Sequence, residues 1–441
     1  MITVRSKTLI LIACIAESFL ILGAQFIGNT MLLLPVIGLF VALVAWAAIK
    51  GMAVPALLFF MPFASIIKLQ PGTISFFTVS LLVVYIIYFV KGIRNVNVYH
   101  LVPGLCLIGL ALAVKTLNGY SIDNSFILFS ASILLVPFII REFNKQYDLY
   151  WLIIFFALGI IIAAITAKYL LIFPSLAKFV KTGVSFGVIR RSGYYGDPNF
   201  YSAHITAALS GALVMLLNNN KNKRVVIIIL LSMALVYCGF MSVSKSFILV
   251  AMALFLVWLV EFMFIKGRVS TKLMIIFTFI IGAAFLLSTT VFTDLIGMML
   301  SRFKNASNIA DFTTGRTEIW MDYIEAFIDN PLLLLFGKGF TSLLIFEKAT
   351  HSTIIQAVYQ FGLVGCVFFI GWFFCYFRMF LQRTKLVMSD IAQMFILLLG
   401  IFGPWMALDL IFFDELFLMP IYMCVGIKFI EQSRVAEGRI E

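Results

Sequence analysis

Charged residues are in short supply in this sequence: Asp, Glu, Lys and Arg make up 12% of 441 residues, against roughly a quarter in soluble domains. With 63% hydrophobic residues and a mean hydropathy of +1.10, that shortage excludes a soluble globular protein and reads as a polytopic membrane protein. Histidine is scarcer still, with only His100, His204 and His351. The six cysteines (Cys14, Cys106, Cys238, Cys366, Cys375 and Cys424) form no Cys-x-x-Cys and pair with no histidine at metal spacing, so they read as packing residues inside apolar runs. No Asp-x-Asp occurs, which argues against a metal-dependent transferase that uses nucleotide sugars, and no metal or cofactor is expected. No soluble stretch interleaves basic and aromatic residues, so nucleic acid is not an expected partner. A short cleavable leader is not expected either, because Thr8 to Gly28 is long enough to span.

What is present is a series of long apolar runs. Segments of about 15 to 25 apolar residues give fourteen candidate spans, centred near Ala16, Phe40, Met61, Leu82, Leu107, Ile133, Ile161, Ala208, Met233, Leu254, Phe279, Phe368, Leu398 and Met423. The third (Val54 to Ile67) and the last (Leu416 to Phe429) are the shortest. The expected fold class is all-α: a polytopic transmembrane helical bundle of about 12–14 spans. With the N-terminus in the cytoplasm, every inner segment carries a basic residue (Arg5, Lys50, Lys91, Arg224, Lys272 and Lys428 among them), as the positive-inside rule requires. Both termini are then cytoplasmic. Two extracytoplasmic loops break the rule, with Lys178, Lys181, Arg190 and Arg191 in one and Arg302, Lys304, Arg316, Lys338 and Lys348 in the other. Long loops translocate whatever their charge, or the charge serves an anion.

The residues in those loops carry chemistry. Asp197-Pro198 opens the eighth span as N-cap and first helical residue; capping alone accounts for both. Gly193 and Gly196 suit a tight turn, and Arg190 and Arg191 lie just upstream of a helix N-terminus, itself an anion site. Thr317 to Asn330 reads as an amphipathic helix, with Ile319, Trp320, Tyr323, Ile324, Phe327 and Ile328 as one stripe, lying on the leaflet or over the bundle. Arg316 precedes it where a cation opposes the helix dipole, so it serves a ligand or pairs with Asp311 or Glu318. Asn330-Pro331 ends the helix, and Gly337-Lys338-Gly339 marks a turn. His100 and His204 fall within spans and read as structural. His351 sits at the outer boundary, where a neutral imidazole can accept a proton. Asp409, Asp414 and Glu415 face outward as an alternative base, a counter-charge or a solvated loop. Glu17 and Lys168 are the notable charges within spans.

Three segments, Arg190 to Asn199, Thr314-Gly315-Arg316 to Trp320, and His351 to Gly365, together resemble the O-antigen ligase and O-antigen polymerase superfamily of membrane glycosyltransferases. Ser352 stands where members of that family often have Asn. The resemblance implies three regions: N-terminal transmembrane helices over 1–173, a catalytic region over 174–365 with extracytoplasmic loops 174–197 and 298–351, and C-terminal helices with a cytoplasmic tail over 366–441. It implies transfer of a glycan from a polyprenyl-diphosphate donor to a sugar hydroxyl on the outer face of the cytoplasmic membrane, by a metal-independent inverting displacement. Arg316 with Arg190 and Arg191 would hold the diphosphate, His351 would activate the acceptor, and Asp197 and Asn199 would support them. Expected partners are the lipid-linked donor, a glycan or lipid-linked acceptor, membrane lipids, a flippase and a chain-length regulator. Polymerisation of O-antigen, capsule or exopolysaccharide repeat units is the first reading and ligation of finished polymer to lipid A-core the second. A lipid-linked oligosaccharide flippase or transporter is the alternative of another class.

Overall fold

Within a bilayer the backbone must satisfy its own hydrogen bonds, so long apolar runs become helices. The computed structural model of the chain describes residues 4–92, 98–142, 148–180, 183–185, 188–218, 222–264, 269–304, 313, 315–342, 345, 349–381 and 388–436. Its first helices are α1 (Val4–Ile27), α2 (Thr30–Ile49), α3 (Ala53–Phe60), α4 (Phe76–Gly92), α5 (Val102–Leu117), α6 (Asn124–Glu142) and α7 (Leu149–Leu170). A short α8 (Pro174–Ala177) leads into an antiparallel hairpin of β1 (Gly183–Ser185) and β2 (Val188–Arg190), a small departure from the otherwise helical structure. Then come α9 (Pro198–Asn218), α10 (Asn222–Met241), α11 (Lys245–Phe264), α12 (Val269–Leu287), α13 (Thr290–Lys304), α14 (Arg316–Asp329), α15 (Pro331–Phe336), α16 (Thr353–Leu381), α17 (Met388–Phe402) and α18 (Glu415–Ala436). Asp311, Thr314, Lys181 and Lys348 lie outside the described residues, as do the side chains of Arg302 and Lys304.

Among the described residues, nine helices are long and apolar enough to cross a membrane, and five shorter apolar helices accompany them. The chain is a multi-pass membrane protein. Each of the fourteen expected span centres lies in one of these helices. The third is not a full crossing helix: α3 has 8 residues, a rise of about 12 Å against a hydrocarbon core of about 30 Å, and every one of its residues is buried. The last is longer than expected, at 22 residues. Large apolar side chains such as Met31, Phe264 and Ile370 lie exposed on the outside of the bundle, the surface a lipid-facing protein presents.

Helix alternation brings one set of connections to one end of the bundle. There Lys7 and Arg224 approach Asp148 (3.7 and 4.0 Å), Asn218 donates to Gln393, and Ser389 donates to Glu261. The opposite end gathers residues 190–199, 241–246, 316–342, 349–352 and 403–415. Between them the core packs tightly: a Cβ on Gly159 of α7 would collide with the carbonyl of Phe59 in α3, so only glycine lets these backbones approach. Of the cysteines, Cys14, Cys238 and Cys424 are buried as expected, whereas Cys106 is exposed on the outside of α5.

Two devices fix the long connection between α13 and α16. Gly362 (φ +64°, ψ 178°) breaks α16, and the carbonyls its kink frees accept from the loop: Lys338 N–H to Tyr359 O at 2.8 Å and Gly339 N–H to Gln360 O at 3.0 Å. The Gln360 side chain completes the seam by pairing with both the N–H and the carbonyl of Thr341. Lys115, buried near the end of α5, donates to Phe340 O at 2.8 Å and pairs with Asp123 at 3.2 Å. The turn at 337–339 is thus docked on two helices of the bundle, α5 and α16.

Candidate functional site

The site is built from four connections at one end of the bundle. Asp197 caps α9, its carboxylate accepting from Asn199 N–H at 2.7 Å, as the Asp-Pro opening predicts. Arg190, at the end of β2, reaches over the same helix start: its guanidinium donates to Asn199 Oδ1 at 3.0 Å and to Ser242 O at 3.3 Å. Asn199 Oδ1 also accepts from Ser244 Oγ at 2.9 Å, and Ser244 lies 2.9 Å from Ser246. The turn between α10 and α11 therefore belongs to the site, and Val243 within it has φ +48°.

Arg316 is the first residue of α14, one residue earlier than the sequence pattern places the helix start. Tyr323 and Phe327 of its stripe are buried, but Ile324 and Ile328 are exposed at 41% and 71%. The stripe is wider than the surface α14 covers, and its outer edge is left free. Trp320, one turn after Arg316 on the same face, donates its indole N–H to Thr350 O at 2.9 Å.

That carbonyl belongs to the segment holding His351. Thr350 donates its hydroxyl to Asp409, and His351 N–H donates to Asp409 Oδ2 at 2.9 Å. The imidazole Nδ1 stands 3.8 Å from the same oxygen. Thr353 and Gln356 of α16 bind the backbone of Leu408, Leu410 and Ile411, fixing the 408–411 segment against the helix. His351 adopts φ +49°, a left-handed conformation unusual for a residue with a side chain. Strain of this kind persists only where surrounding contacts over-determine it, and here Asp409 and the α16 start do so. Ser352 serves as the backbone start of α16, its carbonyl accepting from Gln356 N–H at 2.9 Å.

Charge ties these pieces together. Burial and then the Arg316 cation lower the His351 pKa, while Asp409 and Asp197 oppose that shift. Burial likewise lowers the Arg316 pKa against the pull of Asp197 and Asp409; a guanidinium nonetheless stays charged. Arg316, His351, Asp197 and Asp409 thus form one electrostatic unit assembled from connections far apart in sequence. A cavity of about 150 Å³ beside it is lined by Arg190, Asn199, Lys245, Thr313, Arg316 and Trp320.

Of the residues expected from sequence, Arg190, Arg316, His351, Asp197 and Asn199 come together. Arg191 does not join them: it lines a separate cavity of about 270 Å³ with Lys168 and Tyr201, and Arg190 forms the wall between the two. Lys168 is in the last turn of α7 and exposed, not deep within a span. The solvated-loop reading of Asp409, Asp414 and Glu415 fails, because each is at least half-buried and partnered. Asp409 holds the His351 segment, and Asp414 accepts from Thr78 at 2.7 Å, with its pKa pushed up to about 7 mainly by burial. Glu415 lies 2.9 Å from His204. His204 is buried within a span as expected, whereas His100 lies in a short 3₁₀ turn before α5 and not within a span. Sequence reasoning missed Lys245, and it named Asp409 as a base or counter-charge without its tie to His351. Lys245 carries the same signal as Arg316, a cation at a helix N-terminus; the pairing of Asp409 with His351, 58 residues away, has no local signal.

The chain matches no family model and no curated protein.

Proposed function

We propose that this protein is an integral-membrane glycosyltransferase that moves a glycan from a polyprenyl-diphosphate donor to a sugar hydroxyl on the extracytoplasmic face of the cytoplasmic membrane. The convergence of Arg316 and His351 with Asp409, beside a cavity that also holds Arg190 and Lys245, carries this reading. The membrane orientation rests on the basic inner segments and the positive-inside rule, which put the site end outside and both termini inside.

A diphosphate leaving group takes on charge as its bond to the sugar breaks, and three cations beside one small cavity can stabilise that charge where water is scarce. The acceptor hydroxyl needs a base, and an imidazole kept neutral by burial and by Arg316 supplies one. In this reading the acceptor oxygen bonds to the anomeric carbon as the bond from that carbon to the diphosphate oxygen breaks, with inversion. The hydroxyl proton passes to His351, and the diphosphate leaves against Arg316, Arg190 and Lys245. Asp409 orients the imidazole and stabilises its protonated form, and Asp197 balances Arg316.

Polymerisation of lipid-linked repeat units is the form proposed first, and ligation of finished polymer the second. The buried His204–Glu415 pair is the observation that favours a transporter, since ionisable pairs within spans also mark transport paths. The deciding experiment complements a deletion strain with wild type, Arg316→Ala or His351→Ala, with matched membrane expression, and quantifies lipid-linked intermediates. Accumulation of single lipid-linked units supports polymerisation, and accumulation of finished lipid-linked polymer supports ligation. Full complementation by both variants would sink the glycosyltransferase site.

A further inference from the structure

A cavity larger than the cationic one lies elsewhere among the described residues. It measures about 440 Å³ and lies among the 64–75 connection, α4, α6 and the 411–415 segment, within the roughly 300–1,000 Å³ of small-molecule sites. Its walls are aromatic, with Phe129, Phe340 and Phe412 among them, and Lys68, Thr78 and Asp414 bring charge and hydroxyl groups to it.

This cavity is a neighbour of the proposed catalytic centre. One connection serves both, as Asp409 holds His351 while Asp414, five residues on, lines the cavity. The segment before α9 does the same: Tyr195 lines the cavity, and Asp197, two residues on, acts on Arg316 and His351. Two segments, 195–197 and 409–414, thus connect the cavity to the groups around the imidazole.

Its chemistry selects the occupant. A second phosphate is disfavoured, because Asp414 and Glu415 line the wall and like charges repel. An acyl chain would cut the Lys68 ammonium and the Thr78-bound Asp414 carboxylate off from water behind hydrocarbon, a costly arrangement. A neutral pyranose satisfies both demands. Its C–H face lies against aromatic rings, and its hydroxyls donate to a carboxylate or accept from an ammonium.

We infer that this cavity binds a neutral pyranose unit of the acceptor glycan. The word acceptor rests on the glycosyltransferase reading; binding of the sugar does not.

The two are tested separately. Purified full-length protein in detergent is examined by saturation-transfer-difference NMR with methyl β-glucopyranoside, methyl β-galactopyranoside, methyl α-mannopyranoside and N-acetylglucosamine. The comparison is among wild type, Ser125→Trp and Arg316→Ala. Ser125 is an exposed residue at the cavity rim, so a bulky side chain there blocks entry without altering the core. At least one pyranoside should receive saturation at its ring protons in wild type and in Arg316→Ala, with the signal roughly ten-fold weaker in Ser125→Trp. Absence of transfer to all four sugars, equal signals in wild type and Ser125→Trp, or loss of a co-purifying lipid from Ser125→Trp in native mass spectrometry would each overturn the inference. If pyranoside binding holds while Arg316→Ala still makes surface polymer, the glycosyltransferase reading fails and the sugar site remains.

Discussion

The indole N–H of Trp320 donates to the carbonyl of Thr350 at 2.9 Å, and this single bond joins the helix that begins at Arg316 to the segment that carries His351. Arg316 and His351 sit on separate elements, so their mutual position depends on such ties. Trp320→Phe keeps most of the ring packing and removes the donor. A hydrogen bond of this kind is worth about 0.5–1.5 kcal/mol of stability, so folding should survive. Misplacement of catalytic groups by an ångström can cost about 100-fold in rate, so the variant should insert normally yet lose about 10- to 100-fold in transfer. Membrane expression and transfer to acceptor in isolated membranes, measured together, check this; normal transfer would show that the tie does not position the site.

Arg190 borders both the cavity at Arg316 and the one beside Lys168, whereas the adjacent Arg191 lines the second and not the first. If the cavity at Arg316 holds the diphosphate, Arg190→Ala and Lys245→Ala should each lower kcat on the order of 100-fold, the usual cost of removing one donor to a developing charge. Arg191→Ala should stay close to wild type. The same transfer assay, run on the three variants, separates them. Lys245→Arg should recover more activity than Lys245→Ala, because the charge is restored.

Much of this architecture is legible in the sequence, and the reasons differ by element. The spans are visible because the bilayer demands long apolar runs. The end of α14 is visible because Asn330-Pro331 stops a helix locally. The Asp197 cap is visible because Asp before Pro has few other uses at a helix start. What stays hidden depends on distance. Nothing near His351 announces Asp409, and nothing near Lys338 and Gly339 announces that the kink at Gly362 will offer them carbonyls. The expected stripe of α14 included Ile324 and Ile328, because periodicity counts apolar residues without knowing which of them a neighbour covers. The hairpin at 183–190 consists of two three-residue strands, too short for an alternation signal.

A neutral imidazole is the active form of a general base, so transfer should rise with pH through the His351 pKa and level off above it. Burial and the Arg316 charge hold that pKa below the ordinary value of about 6.5. Transfer should therefore still be near its plateau at about pH 7 and decline only in more acid solution. Asp409 opposes the downward shift, so Asp409→Asn should move the acid limb to still lower pH as well as reduce the rate. Arg316→Gln removes a cation that lowers the pKa, so in its residual activity the limb should move upward. A profile of kcat/KM against pH for the three proteins measures both signs; limbs that coincide would exclude His351 as the titrating base.

The break at Gly362 is the feature on which the docking of the long connection between α13 and α16 depends. Its conformation (φ +64°, ψ 178°) belongs to a region essentially restricted to glycine, and a Cβ there would collide with the carbonyl of Leu335 in α15. Gly362→Ala must either take on strain of about 1–3 kcal/mol or straighten α16. Straightening would withdraw the Tyr359 and Gln360 carbonyls that hold residues 338–340. The variant should therefore melt at a lower temperature in detergent, and limited proteolysis should cut the 337–341 segment faster than in wild type. Gly109→Ala provides the control: it lies in α5, and a Cβ there meets nothing within 4 Å, so its stability should be unchanged or slightly raised, as expected for Gly to Ala in a helix. Equal melting of the two variants would mean that the kink holds nothing in place. A selective loss in Gly362→Ala, accompanied by reduced transfer, would link the docked connection to the geometry of Arg316 and His351, because α14 and α15 reach the bundle through it.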